Sequence, residues 1–219
     1  MGMRILVTGA TGLAGAEVVR QAIVDKDIDA ITALVRRPLK IEHPKLKTLV
    51  HQDFSDYSGL AEIFKNQDAC IWCLGISQTQ VNEAEYIRIT LDYVVAAAKA
   101  MLAANPEIAF LFLSGMGADS KEKSRTLFAR IKGKAENELR RMPFKKLNIA
   151  RPGGIRPVHP KENAAAFERF LIPLYPLVEF LLPFLMISSQ ALAKAMLDVI
   201  KKGSGKTILG NNDLKKRLI

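Results

Sequence analysis

Apolar positions along this chain follow two different rhythms. Short runs dominated by apolar residues fall at 4–7, 31–35, 46–51, 69–74, 108–114, 147–151 and 207–209. Runs with little polar alternation belong to strands covered on both faces, as in a parallel sheet. Between them the spacing is helical. Over 12–25, Leu13, Ala16, Val19 and Ile23 share one face while Glu17 and Arg20 lie off it. Further helices are predicted over 58–65, over 82–104 with its alanine-rich stretch, and over 124–141. The last main helix starts at Ser188 or Ser189, either of which suits an N-cap, and runs to about 201.

Regular strand–helix alternation implies right-handed crossovers and an α/β fold: a doubly wound parallel sheet, Rossmann-like, in a single domain over 1–219. Ligands of such sheets bind beyond the carboxyl ends of the strands, where the strand order reverses. The alternation breaks between 152 and 187. Prolines at 152, 157, 160, 173, 176 and 183 mark an irregular segment with short helices, not a second domain.

The first strand leads into Thr8-Gly9-Ala10-Thr11-Gly12-Leu13-Ala14-Gly15. Strand, glycine-rich turn and helix in this order make a cradle for a dinucleotide diphosphate. Gly9 permits the sharp turn, Gly12 lets the diphosphate approach the backbone, and Gly15 lets the helix pack on the strand. The helix N-terminus supplies free N–H groups and partial positive charge. Thr11 and Leu13 join these glycines as candidate cofactor contacts.

The end of the second strand discriminates between nicotinamide cofactors. It reads Leu34-Val35-Arg36-Arg37-Pro38, without a carboxylate to hold a ribose 2′-hydroxyl. Arg36 and Arg37 suit a 2′-phosphate, so the expected cofactor is NADP(H). Asp53, after the third strand, suits either the adenine amine or a turn-capping role.

The net charge is +10 and 49% of residues are hydrophobic. An anionic cofactor and substrate account for the charge as well as an anionic surface would. The basic residues are dispersed and lack interleaved aromatics, which disfavours nucleic acid. Residues 1–4 lead straight into a strand, so no signal peptide is expected, and two cysteines suggest no disulfide framework; the expected location is cytoplasmic. Cys70-Ile71-Trp72-Cys73 lies in a predicted buried strand, where residues three apart point to opposite faces, and reads as packing. Gly203-Ser204-Gly205-Lys206-Thr207 has the ending of a P-loop but follows a helix and precedes a strand. It reads as a flexible turn with a solvated lysine. His43, His51 and His159 show no metal-ligand spacing. The apolar stretch 170–187 carries three prolines and Glu179, against a membrane span. It suits the substrate side of the sheet, a dimer contact or a peripheral membrane patch, and the chain is expected to be a monomer or homodimer.

Taken in order, residues 8–15, Arg36-Arg37, Cys73-Leu74-Gly75, Leu113-Ser114-Gly115-Met116-Gly117-Ala118-Asp119, Lys132-Gly133-Lys134-Ala135-Glu136 and Arg151-Pro152-Gly153 resemble the atypical short-chain dehydrogenase/reductases. Within them the chain resembles the NAD(P)H-binding, NmrA-like relatives and the Tat-interacting-protein oxidoreductase group, over residues 3–200. The resemblance implies that Leu74 and Gly75 line the cofactor and that Pro152 and Gly153 pass under the nicotinamide. It implies that Ser114 hydrogen-bonds a substrate carbonyl and that Lys132 holds the nicotinamide ribose. In that family a tyrosine four residues before the lysine protonates the substrate oxygen. Here that position is Phe128, which has no proton to give. Tyr86, Tyr93, Ser114 or Lys132 through a water would have to substitute. Two functions follow from the residues: an NADPH-dependent oxidoreductase (or nucleotide-sugar-epimerase-like relative) on a small carbonyl compound, or a catalytically impaired NADP(H) sensor that signals to a protein partner through 152–187.

Overall fold

The computed structural model describes residues 2–159 and 184–218. The strands are β1 (Met3–Thr8), β2 (Ile28–Val35), β3 (Leu46–Val50), β4 (Ala69–Trp72), β5 (Ala109–Leu113), β6 (Leu147–Arg151), β7 (Gly154–Arg156), β8 (Met186–Ser188) and β9 (Ile208–Gly210). The helices are α1 (Leu13–Val24), α2 (Ala61–Lys65), α3 (Glu83–Ile87), α4 (Tyr93–Ala104), α5 (Leu127–Arg141), α6 (Ser189–Lys202) and α7 (Asn211–Lys216). The main sheet is parallel throughout, in the order β3-β2-β1-β4-β5-β6-β9. The order reverses between β1 and β4, which places the switch point there.

The apolar runs are divided by pleat, because successive side chains leave a strand on opposite faces. Ile5 and Val7 of β1, Ile71 of β4 and Leu111 of β5 enter one core with Val18 and Ala22 of α1 and Leu192 and Met196 of α6. Leu6, Cys70, Trp72, Phe110 and Phe112 enter the other, with Phe64 of α2, Val94 and Met101 of α4 and Leu139 of α5. Cys70 is buried in the second core while Cys73 packs against the first, so both are packing cysteines and both are free thiols.

Several details depart from the sequence expectation. The predicted helix over 82–104 is capped by Asn82, whose Oδ1 accepts from the Glu85 N–H at 2.9 Å, but a π-helical turn at Arg88–Asp92 separates α3 from α4. The helix expected from 124 begins at Leu127, because Asp119 holds 121–124 in a turn by accepting from the N–H groups of Lys121, Lys123 and Ser124. Ser188 is the N-cap of α6, accepting from Ala191 N–H at 3.1 Å. The segment expected to be irregular is bounded by a parallel two-stranded ribbon, β7 with β8, so its two ends are paired. Most of the apolar stretch 170–187, with the interface and membrane roles expected for it, lies outside the described residues. The helix α7 had no sequence expectation at all.

Candidate functional site

The β1–α1 turn is built on two close approaches. Gly9 has φ +65°, and a Cβ there would sit 2.5 Å from the Cys73 carbonyl oxygen. A Cβ on Gly15 would sit 2.3 Å from the Gly9 carbonyl oxygen. Thr8, wholly buried, joins the two strand ends: its Oγ1 accepts from the N–H groups of Cys73 and Leu74, both at 3.1 Å. The turn, α1 and the β4 end are therefore packed and hydrogen-bonded to one another.

The start of α1 is open to an anion. Gly12, its N-cap, has no side chain to cap the first turn, and that turn holds no acidic residue. Donors of this kind require an outside acceptor. Beside them lies a cleft of about 310 Å³ lined by Gly9, Thr11, Leu34, Val35, Arg36, Arg37, Phe54 and Leu74. Arg36 and Arg37 are exposed, and among the described residues neither has an ion-pair partner. The chain fits a dinucleotide here: close backbone, open helix N-terminus, free cations. Asp53 lies next to the cleft residue Phe54, but its Oδ1 accepts from the Ser55 N–H at 2.9 Å and from the Ser55 hydroxyl. These bonds hold its carboxyl below the usual range, and they show the turn-capping role. Gly75 is exposed just beyond Leu74.

Toward β5 and β6 the side chains come from one face of α5. Phe128, Lys132 and Glu136 are four residues apart, so they stack along the helix. The Phe128 ring lies over Gly115, with its Cζ 2.7 Å from where a Cβ would be. The Gln78 Oε1 accepts from the Phe128 N–H at 2.8 Å. Lys132 is buried, donates through Nζ to the Leu113 carbonyl at 2.9 Å, and lies 4.6 Å from the centre of the Phe112 ring. Burial pushes its pKa down to about 8, against the opposing pull of Glu136 and Cys73. Burial pushes the Cys73 thiol up to about 12.

Ser114 is engaged within the protein. Its Oγ lies 2.5 Å from Glu136 Oε1. Glu136 is wholly buried and clamped by Arg151, whose Nε donates to Oε1 at 2.9 Å and whose Nη2 also reaches Oε2. The Ser114 hydroxyl donates inward, to this clamped side chain. With its hydroxyl donating to Glu136, the Ser114 oxygen keeps lone pairs that can accept from a further donor.

Sequence reasoning quoted Glu136 and Arg151 but gave neither a role. The available signal was a glutamate on the lysine's helix face together with an arginine ending a core strand. Asn211, at the start of α7, was missed. It is buried, accepts from Gly153 N–H at 2.9 Å and donates to the carbonyls of Phe184 at 3.1 Å and Met186 at 3.0 Å. It fixes Pro152-Gly153 beyond β6 and had no signal beyond being a polar residue after a short strand. Tyr86 is buried in the second core, where burial raises its pKa, and acts as packing. The Tyr93 ring packs against Phe54 with centroids 5.9 Å apart. Among the described residues no group of histidine, cysteine and carboxylate side chains could hold a metal.

A family model described as NAD(P)H-binding matches residues 9–202. The chain belongs to the NAD(P)H-binding family. It is 32% identical to leucinostatins biosynthesis cluster protein T of Purpureocillium lilacinum over 178 residues, 78% of this chain and 63% of that protein. It is 27% identical to protein HTATIP2 of Rattus norvegicus, over 68% of this chain and 61% of that protein. It is 32% identical to the mitochondrial protein FMP52 of Candida albicans, over 70% of this chain and 67% of that one. The chain thus spans about three fifths of the first two relatives. In structure it is similar to L-threonine dehydrogenase from Clostridium difficile, with a TM-score of 0.72 over 95% of this chain and 76% of that one at 14% identity. That likeness shows the fold. Among the described residues no helix is long and apolar enough to cross a membrane.

Proposed function

We propose that this member of the NAD(P)H-binding family is an NADP(H)-dependent oxidoreductase acting on a small alcohol–carbonyl pair. The observation that carries the cofactor choice is the carboxylate-free end of β2, with Arg36 and Arg37 exposed beside the open N-terminus of α1. Gly9, Thr11, Gly12, Leu13 and Gly15 hold the diphosphate, Arg36 and Arg37 the 2′-phosphate. Leu74, Gly75, Pro152 and Gly153 border the nicotinamide half. When bound, NADP(H) supplies or accepts hydride. The chain's own residues then do three things. Ser114, oriented by Glu136, accepts a hydrogen bond from the substrate hydroxyl. Lys132 holds the ribose and, with a pKa of about 8, carries a proton that can move near neutral pH. Phe128 covers Gly115 and keeps water from that side. We place the protein in the cytoplasm, which fractionation tests, since a yeast relative is named as mitochondrial.

A second reading is favoured by Phe128 alone: a protein that binds NADP(H) without turnover and reports its state to a protein partner. One series of measurements separates the two. Calorimetry with NADPH and NADH should show Arg36→Ala weakening NADPH by at least about tenfold and leaving NADH within about twofold. Equal loss for both cofactors overturns the 2′-phosphate role. Absorbance at 340 nm is then followed with aldehydes, ketones and quinones. Turnover that rises in Phe128→Tyr supports the oxidoreductase, while tight binding without turnover in either form favours the sensor.

A further inference from the structure

At the other end of the sheet, a second cavity of about 470 Å³ lies between two loops. The loops connect α5 to β6 and α6 to β9. Ala109, Leu147, Asn148 and Thr207, at the amino ends of β5, β6 and β9, form its floor. The cofactor cleft is at the carboxyl ends of the strands, so the two cavities are separated by the sheet itself.

The cavity wall carries Arg140, Lys145, Lys146, Lys201, Lys202 and Lys206, and no carboxylate. The carboxylates that neutralise part of this charge stand outside. Lys145 pairs with Glu107, Lys202 with Asp198 at 2.7 Å, and Lys206 with Asp213 at 2.8 Å. Those three lysines are 64%, 74% and 65% exposed, and exposed pairs are held by little net energy, so their ammonium groups can turn inward. Lys201 is fixed between Asp25 at 2.7 Å and Asp27 at 3.0 Å. Among the described residues Arg140 and Lys146 have no ion-pair partner. The ends of α5 and α6 also face this region with partial negative charge. A single negative charge gains little against them, whereas a ligand with several charges engages several cations together.

The α6–β9 loop is held in shape. The Gly203 N–H donates to Val199 at 2.8 Å, and Asn148 Nδ2 donates to Ser204 Oγ at 2.6 Å and to the Lys206 carbonyl at 3.1 Å. The turn expected at residues 203–207 is thus tied to β6, and its Lys206 is 65% exposed, as a solvated lysine would be. The loop supplies one basic wall of a concave site.

We propose that this cavity binds a short condensed-phosphate anion, such as a free polyphosphate or the tail of a nucleoside triphosphate, as a second ligand of the protein. A concave wall of this size fits a compact polyanion better than a flat bilayer. The probe is tripolyphosphate, titrated by calorimetry into the protein saturated with NADP⁺, which keeps the probe out of the α1 cradle. The expected result is saturable binding of one anion per chain. Arg140→Ala with Lys146→Ala should weaken it at least about tenfold, because two charge-assisted contacts are lost. Lys121→Ala with Lys123→Ala removes equal charge from an exposed turn and should leave it within about twofold. Adenosine triphosphate in place of the probe distinguishes the two sources: tighter binding indicates a nucleotide, equal or weaker binding free polyphosphate. The proposal is overturned by an absence of saturable binding, by equal losses in the two double variants, or by no loss in the first. It is also overturned if phosphatidylserine vesicles bind and tripolyphosphate cannot displace them.

Discussion

Lys132→Met tests the electrostatics of the site without knowledge of a substrate. Burial lowers the lysine from its ordinary 10.5 to about 8. At about 1.4 kcal/mol per tenfold change, the buried charge destabilises the fold by on the order of 3 kcal/mol where both folded and unfolded forms are protonated. Methionine keeps the stem and removes that term. It also strands the Leu113 carbonyl, for about 1 kcal/mol, while the pull of the Phe112 face on the cation is already contained in the lowered pKa. The net expectation below pH 8 is a gain of roughly 2 kcal/mol, or about 4–8 °C in Tm for a chain of this size. The sign changes with pH. Between about 8 and 10.5 the unfolded lysine holds its proton and the folded one does not, so wild-type stability rises relative to the variant. Near pH 10.5 the variant should be the less stable of the two, by at most about 1 kcal/mol, the stranded carbonyl alone. Urea unfolding at pH 7, 8.5 and 10 measures the difference. A difference that stays constant over that range refutes the account, whatever its absolute value.

Glu136→Ala should cost about 3 kcal/mol in urea unfolding, because it leaves Arg151 facing a buried void, whereas Glu136→Leu with Arg151→Met should cost about 1 kcal/mol. Costs that simply add across the pair would sink the claim that the two act as a unit. Gly15→Ala should reduce NADPH affinity by about a hundredfold in calorimetry, since its Cβ would drive α1 away from the Gly9 carbonyl; affinity within about twofold of wild type would contradict that packing. Asn211→Leu should lower thermal stability by about 2–4 kcal/mol through the stranded partners at Gly153, Phe184 and Met186. A loss below about 0.5 kcal/mol would mean that Asn211 does not fix those segments.

The run at 8–15 was legible because its information is local: a turn too tight for side chains, between a strand and a helix, has few sequences and few uses. The position of Arg36 and Arg37 beside the cleft was legible for the same reason, being fixed by their distance from the end of β2. The paired ends of 152–187 were not, because β7 and β8 are three residues each and far apart in the chain. Asn211, which no local pattern marks, bonds to Gly153 and Met186 beside that pair.

By itself the sequence determined the alternation of strand and helix, the dinucleotide cradle and the absence of a phenol at Phe128, since apolar period, glycine and side-chain chemistry are written residue by residue. Tertiary structure alone decided what Ser114 offers a ligand. Its hydroxyl donates to Glu136 because Arg151, from β6, holds that buried side chain in place by two of its nitrogens. The same is true of Lys132, whose lowered pKa comes from its burial and not from its neighbours in sequence. It is true again of the basic cavity, where two dispersed runs of lysine and arginine face each other only because β6 and β9 are adjacent.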